Sequence, residues 1–161
     1  TRIILPLSTI VANFANFLLT AGVLAVYLLG VGMKMQGLAY LPLVLATQFA
    51  LCLGLGLMVA TSNVFFRDTE HMIGIFTLAW FFLTPIFYPV SLQFAQIPEK
   101  WHGLLFLNPM TGILSGYRAI LMSSSMPEWP LPLISFAVSW ALLVCGVAVF
   151  QWQESKFADE M

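Results

Sequence analysis

Charge is what this sequence has least of. Lys and Arg number six and Asp and Glu seven, so 8% of the 161 residues are charged while 60% are hydrophobic. A soluble globular domain carries roughly 25% charged residues. A water-soluble fold this apolar would lack the polar surface to cover its core, so the implied solvent is a bilayer. The net charge of −1 provides no basic excess to neutralise phosphates, which argues against a nucleic-acid partner.

Other chemistries are missing too. The two cysteines, Cys52 and Cys145, sit in long apolar runs without CxxC or metal-ligand spacing. They read as small buried apolar residues. His71 and His102 are predicted on opposite faces of the membrane, which excludes a shared metal site. No G-x-x-x-x-G-K-[ST] loop occurs, so the chain does not bind ATP through that motif. No cofactor is expected on this chain.

What is present is long uncharged stretches. Arg2 to Lys34 encloses 31 uncharged residues, Lys34 to Arg67 32, Glu70 to Glu99 28, and Glu128 to Glu154 25. Spanning the hydrocarbon takes about 20 apolar residues, so each run holds one helix and not two. The expected fold is all-α and polytopic, a single transmembrane domain with spans at about 8–32, 41–62, 71–89 and 131–151. Four spans place Arg2, Arg67, Asp68, Glu70 and the charged tail on one face. Lys34, Glu99, Lys100, Arg118 and Glu128 lie on the other. Each face carries three Lys or Arg, so the positive-inside rule does not orient the chain.

Small residues recur at every fourth position, as Ala46, Ala50 and Gly54 and as Ala137, Ala141 and Cys145. That spacing predicts close helix–helix approach. Gly54 and Gly56 are expected to loosen the second span.

The third span is unusual. Trp80 to Tyr88 is an aromatic run broken by Pro85 and Pro89, four residues apart. After a loop, 101–107 is again apolar, Asn108-Pro109 interrupts, and the apolar pattern resumes to 122. Each half is shorter than the ~17-residue minimum for a span, and proline disfavours helix at the residue before it. A re-entrant helical hairpin over about 101–122 fits this pattern; an interfacial amphipathic hairpin is the alternative. Trp101, Trp129 and Tyr88 suit the headgroup region either way. Irregular backbone at membrane depth is tolerated only where protein or a water-filled cavity satisfies it, which points to a pathway or gate. Phe76, Trp80 and Phe87 can share one helical face. With Tyr88 they are candidates for a pathway wall against the apolar faces of sugars, or else they pack and face lipid. Pro85, Pro89, Asn108, Pro109 and Arg118 are the candidate gate residues.

The compact charged cluster runs from Arg67 to His71, between two spans. Arg67, Asp68 and Glu70 are candidate contacts for a soluble partner; a plain solvated loop is the alternative. Catalysis by Asp68, Glu70 and His71 has no accompanying nucleophile. The span interiors hold no Asp, Glu, Lys or Arg, although ion-coupled transporters usually carry such groups there. Active transport would therefore draw energy from a separate nucleotide-hydrolysing subunit.

Five blocks, in order, resemble the permease of type-2 ABC exporters, in the branch that exports O-antigen, capsule or teichoic acid. They are Leu5-Pro6-Leu7-Ser8; Asn63 with Arg67-Asp68; Trp80-Phe81-Phe82-Leu83-Thr84-Pro85 through Tyr88-Pro89; Leu107-Asn108-Pro109-Met110-Thr111-Gly112-Ile113 with Tyr117-Arg118; and Glu154 with Lys156-Phe157-Ala158-Asp159. The resemblance implies a six-span permease of which this is the C-terminal four-span part. It implies a homodimer among membrane lipids, with ATPase subunits that carry ATP and Mg. It also implies a lipid-linked polysaccharide substrate, a bacterial or archaeal cytoplasmic membrane, and a cytoplasmic position for Arg2, Arg67 and the tail. The start at Thr1 agrees with a missing upstream portion, and the charged tail reads as a natural end. Ser115 stands where the family pattern has an acidic residue, so an Arg118–carboxylate pairing within the hairpin is not carried over. Competing readings are a drug or small-lipid export permease of the same superfamily, an intramembrane lipid-linked sugar transferase, and an assembly subunit without a pathway.

Overall fold

The computed structural model describes residues 4–32, 37–65, 68–87, 98–122 and 130–159, and among them every regular element is helical. The α-helices are α1 (Ile4–Gly30), α2 (Leu41–Phe65), α3 (Thr69–Leu83), α4 (His102–Leu107), α5 (Pro109–Leu121) and α6 (Leu131–Asp159). Short 3-10 turns lead into α2 and α4.

Proline placement explains several helix starts. Pro6, Pro42, Pro109 and Pro132 each fall in the first turn of a helix, where the missing N–H would be unsatisfied anyway. α1 stops as the chain reaches Gly32, which takes φ +86; there the Gly32 N–H bonds the Leu29 carbonyl at 3.0 Å. Glycine is suited to this left-handed position because it has no Cβ.

Three helices are long and apolar enough to cross a membrane: Pro6–Gly30, Leu38–Val64 and Leu131–Gln153. The third expected span is shorter than its uncharged run suggested. α3 has 15 residues and ends at Leu83, a length of about 22 Å against a hydrocarbon core of ~30 Å. Pro85 is the cause. It holds Thr84 in an extended conformation, ψ 131, as a residue before proline prefers.

α2 and α6 form the main contact and run parallel. Gly54 of α2 lies against α6, where an added Cβ would come within 2.7 Å of the Leu142 carbonyl carbon. A Cβ on Gly146 would collide in turn with the Gly54 backbone. Lipid supplies no hydrophobic drive between helices, so this close approach substitutes dispersion for it. α1 runs antiparallel to α2, with Phe14 against Phe49 at 4.9 Å between centroids and Ile10 facing Gly56. Gly56 thus admits a neighbouring side chain, while α2 continues unbroken through both glycines.

The small-residue expectation needs correcting on α6. Ala137, Ala141 and Cys145 are exposed, whereas Ser135, Ser139 and Gly146 are buried. Two residues along a helix are about 200° around it, so the packed stripe lies on the opposite side from the predicted one. On α2, Ala50 and Gly54 are buried but Ala46 is exposed. Cys52 and Cys145 are likewise exposed rather than buried. An apolar solvent exerts no pressure to hide such groups.

The core is Val44 and Leu51 of α2 with Ile113 and Ile120 of α5, and Trp80, Tyr117 and Leu142 pack on it. α5 therefore lies within the bundle. Its buried residues Pro109, Gly112, Ile113, Gly116 and Ile120 recur at helical spacing along one face, and Thr111 is buried on the opposite side.

Candidate functional site

The site is the end of the bundle where α2 and α6 begin, and where α3 breaks off. Gly116 of α5 abuts Val44, and the Tyr117 hydroxyl donates to Gln48 Oε1 at 2.5 Å. Gln48 is seven residues into α2, roughly 10 Å along its axis. The α4–α5 pair thus lies beside the first turns of the long helices, not beyond their ends.

Asn108 divides the pair and caps α5. Its backbone is extended, ψ 107, ahead of Pro109 at the first helical position. Its Oδ1 accepts from the Met110 N–H at 3.1 Å, which satisfies one of the open donors of the first turn.

The same side chain binds α3. Trp80 Nε1 donates to Asn108 Oδ1 at 2.8 Å. Asn108 Nδ2 donates to Thr84 Oγ1 at 3.2 Å. Thr84 Oγ1 donates back to the Trp80 carbonyl at 2.8 Å. The three residues close a ring of hydrogen bonds that ties the last turn of α3 to the hinge of the hairpin. A second link lies beside it. The Arg118 guanidinium donates from Nη2 to the Ile86 carbonyl at 2.5 Å, and the Ile86 N–H bonds the Thr84 carbonyl at 2.8 Å. Backbone released by the proline break is thereby paired with protein groups, as irregular chain at membrane depth requires. Thr84 and Pro85 are buried.

The sequence-derived candidates divide accordingly. Trp80, Pro85, Asn108, Pro109 and Arg118 come together here. Trp80 is half-buried, with its N–H engaged and its ring on the core. Phe76 stacks beside it at 5.7 Å but remains exposed. Phe87 falls past the end of α3, so it does not continue the Phe76–Trp80 face. It is 83% exposed and meets Phe81 edge-on at 5.8 Å. Tyr88, Pro89 and Arg67 lie outside the described residues.

Thr84, the Ile86 carbonyl and Gln48 were not among the sequence candidates. A threonine preceding proline was the available signal for Thr84. The roles of Ile86 and Gln48 arise from contacts 32 and 69 residues apart, and no local pattern encodes them.

Asp68 and Glu70 occupy the opposite end. Asp68 is exposed in the turn between α2 and α3, and Glu70 lies in the first turn of α3. A negative charge is favourable there against the helix dipole. Glu70 also lines a groove of about 430 Å³ with Pro6, Thr9, Asn63 and Thr69. Thr69 is held by a 3.3 Å bond from its hydroxyl to the Ser62 carbonyl. Among the described residues no group of His, Cys, Asp and Glu could hold a metal.

Known proteins share this sequence pattern. The ABC-2 type transporter family profile matches residues 3–122. The O-antigen export system permease protein RfbA of Myxococcus xanthus is 30% identical over 159 residues, 98% of this chain and 60% of that protein. A protein of the same name from Klebsiella pneumoniae is 26% identical over 160 residues, again covering 98% of this chain and 60% of the relative. The chain thus spans about 60% of the length of the curated relatives it matches. No solved structure matches it significantly. With three-quarters of its length inside the family profile, and apolar helices long enough for a multi-pass membrane protein, this chain belongs to the ABC-2 type transporter family.

Proposed function

We propose that this chain is part of the permease of an ATP-driven exporter that moves lipid-linked polysaccharide across a bacterial or archaeal cytoplasmic membrane. The observation that carries this reading is the similarity to O-antigen export permeases along 98% of the chain. The hydrophobic windows of the long helices offer no charge for coupling to an ion gradient, and the sequence has no phosphate loop. Energy then comes from a separate ABC ATPase that carries ATP and Mg. Asp68 and Glu70, with Arg67, are the face on which that subunit docks. Two permease copies line the path.

In this reading the stitched end of α3 and the α4–α5 hairpin form the outer gate. Trp80 holds the gate in place, while Phe76 and Phe87 present exposed rings to a passing glycan. The test is deletion of the gene in its host, followed by analysis of surface glycan and of lipid-linked precursor. Loss of the surface polymer with accumulation of precursor inside is expected. Unchanged surface polymer and no accumulation would refute the substrate assignment.

A further inference from the structure

Two hydroxyls and a crevice meet where α2, α5 and α6 pack at the gate end. Ser135 of α6 is 1% exposed, and its Oγ has no hydrogen-bond partner within the described chain. A buried hydroxyl left in that state forfeits its hydration without replacement, so buried polar groups in folded proteins are nearly always paired.

Ser135 lines a crevice of about 20 Å³ together with Leu43, Val44, Thr47, Gly112 and Pro132. A water molecule needs roughly 10–15 Å³ of such space, with two to four polar partners. Thr47 supplies the second partner. It is 4% exposed, and its hydroxyl hydrogen is committed to the Leu43 carbonyl at 2.8 Å. Its oxygen still has acceptor capacity, since a hydroxyl carries two lone pairs. Gly112 lets α6 pack directly on α5 beside the crevice: a Cβ there would run into the Ser135 hydroxyl and come to 2.5 Å from the Leu131 carbonyl oxygen. The crevice lies in the first two turns of α2 and α6.

We propose that this junction binds one ordered water. It accepts the Ser135 Oγ–H and donates to Thr47 Oγ1, bridging α6 to α2 beneath α5. The water gives the Ser135 hydroxyl the partner that direct packing withholds. It makes the seat of α5 partly water-mediated. The Thr111 and Ser139 hydroxyls, also buried, lie outside the lining of this crevice and are not assigned to the site.

The direct test is a structure of the full-length protein with its ATPase in lipid nanodiscs, at a resolution that shows ordered water. Density for a single water within hydrogen-bonding distance of both Ser135 Oγ and Thr47 Oγ1 is expected. Empty density, an acyl chain in the crevice, or a Ser135 hydroxyl turned onto its own helix would overturn the proposal. A melting series on the same complex is independent of that density. Ser135→Ala and Thr47→Val should each lower the melting temperature, and the double variant should melt no lower than the worse single one. Strictly additive losses would mean that no shared water links the two groups.

Discussion

Trp80 and Asn108, 28 residues apart in the chain, are joined by an indole N–H to amide oxygen hydrogen bond of 2.8 Å. Asn108 also caps α5 and donates to Thr84. One side chain thus divides the α4–α5 pair and anchors the end of α3. Asn108→Ala should leave the part-buried Trp80 N–H unmatched, at about 1–3 kcal/mol, whereas after Trp80→Phe the Asn108 Oδ1 keeps its bond from the Met110 N–H. In a double-mutant cycle of Trp80→Phe and Asn108→Ala on the purified complex, we expect the two losses to overlap by roughly 0.5–1.5 kcal/mol, the net worth of one hydrogen bond. Independent losses in thermal melting would show that the bond does not couple α3 to the hairpin.

Arg118 should tolerate little. Its guanidinium reaches the Ile86 carbonyl from the other side of the break. Lysine offers a compact ammonium in place of a planar fork. We expect Arg118→Lys to retain part of the export and Arg118→Gln to lose nearly all of it, measured as surface polymer in the host. Full export by Arg118→Gln would remove Arg118 from the gate.

Pro85→Ala should restore an N–H and permit helix beyond Leu83. Extending α3 moves the Ile86 carbonyl away from Arg118. Slower export with normal membrane insertion is the expected result. Normal export would mean that the break serves only as a boundary turn.

Gly54→Ala and Gly146→Ala place a methyl group on backbone across the α2–α6 contact. Overpacking of this kind costs typically about 1–3 kcal/mol. The yield of folded, detergent-stable protein should fall for both variants. Gly74→Ala is the control: nothing lies within 4 Å of its Cβ position, and alanine gains up to about 1 kcal/mol over glycine within a helix.

Asp68→Ala combined with Glu70→Ala should weaken recovery of the ATPase in pull-downs while leaving insertion intact, because both side chains are exposed at the end opposite the α4–α5 pair. Undiminished recovery would place the docking face elsewhere.

The all-helical, membrane-embedded character was legible from charge spacing, since a bilayer excludes charge over about 20 residues whatever the tertiary contacts. So was the break at Asn108-Pro109, because proline acts on its own backbone and on the residue before it. The end of α3 was half-legible. Pro85 marked it, yet the 28-residue uncharged run around it suggested a full span.

The faces of the helices were not legible. Ala137, Ala141 and Cys145 formed as regular a stripe as Ser135 and Ser139, and only packing chose between them. In water the hydrophobic effect would have revealed the buried face through polarity. In lipid both faces are apolar, and the choice falls to shape. Trp80 follows the same logic: composition made it one aromatic among six in its span, and the fold gave its N–H a partner 28 residues away. The sequence by itself determined where the chain enters an apolar solvent and where its helices must break. The tertiary structure decided what pairs with the broken backbone, because those partners are distant in sequence and meet only when α5 seats between α2 and α6.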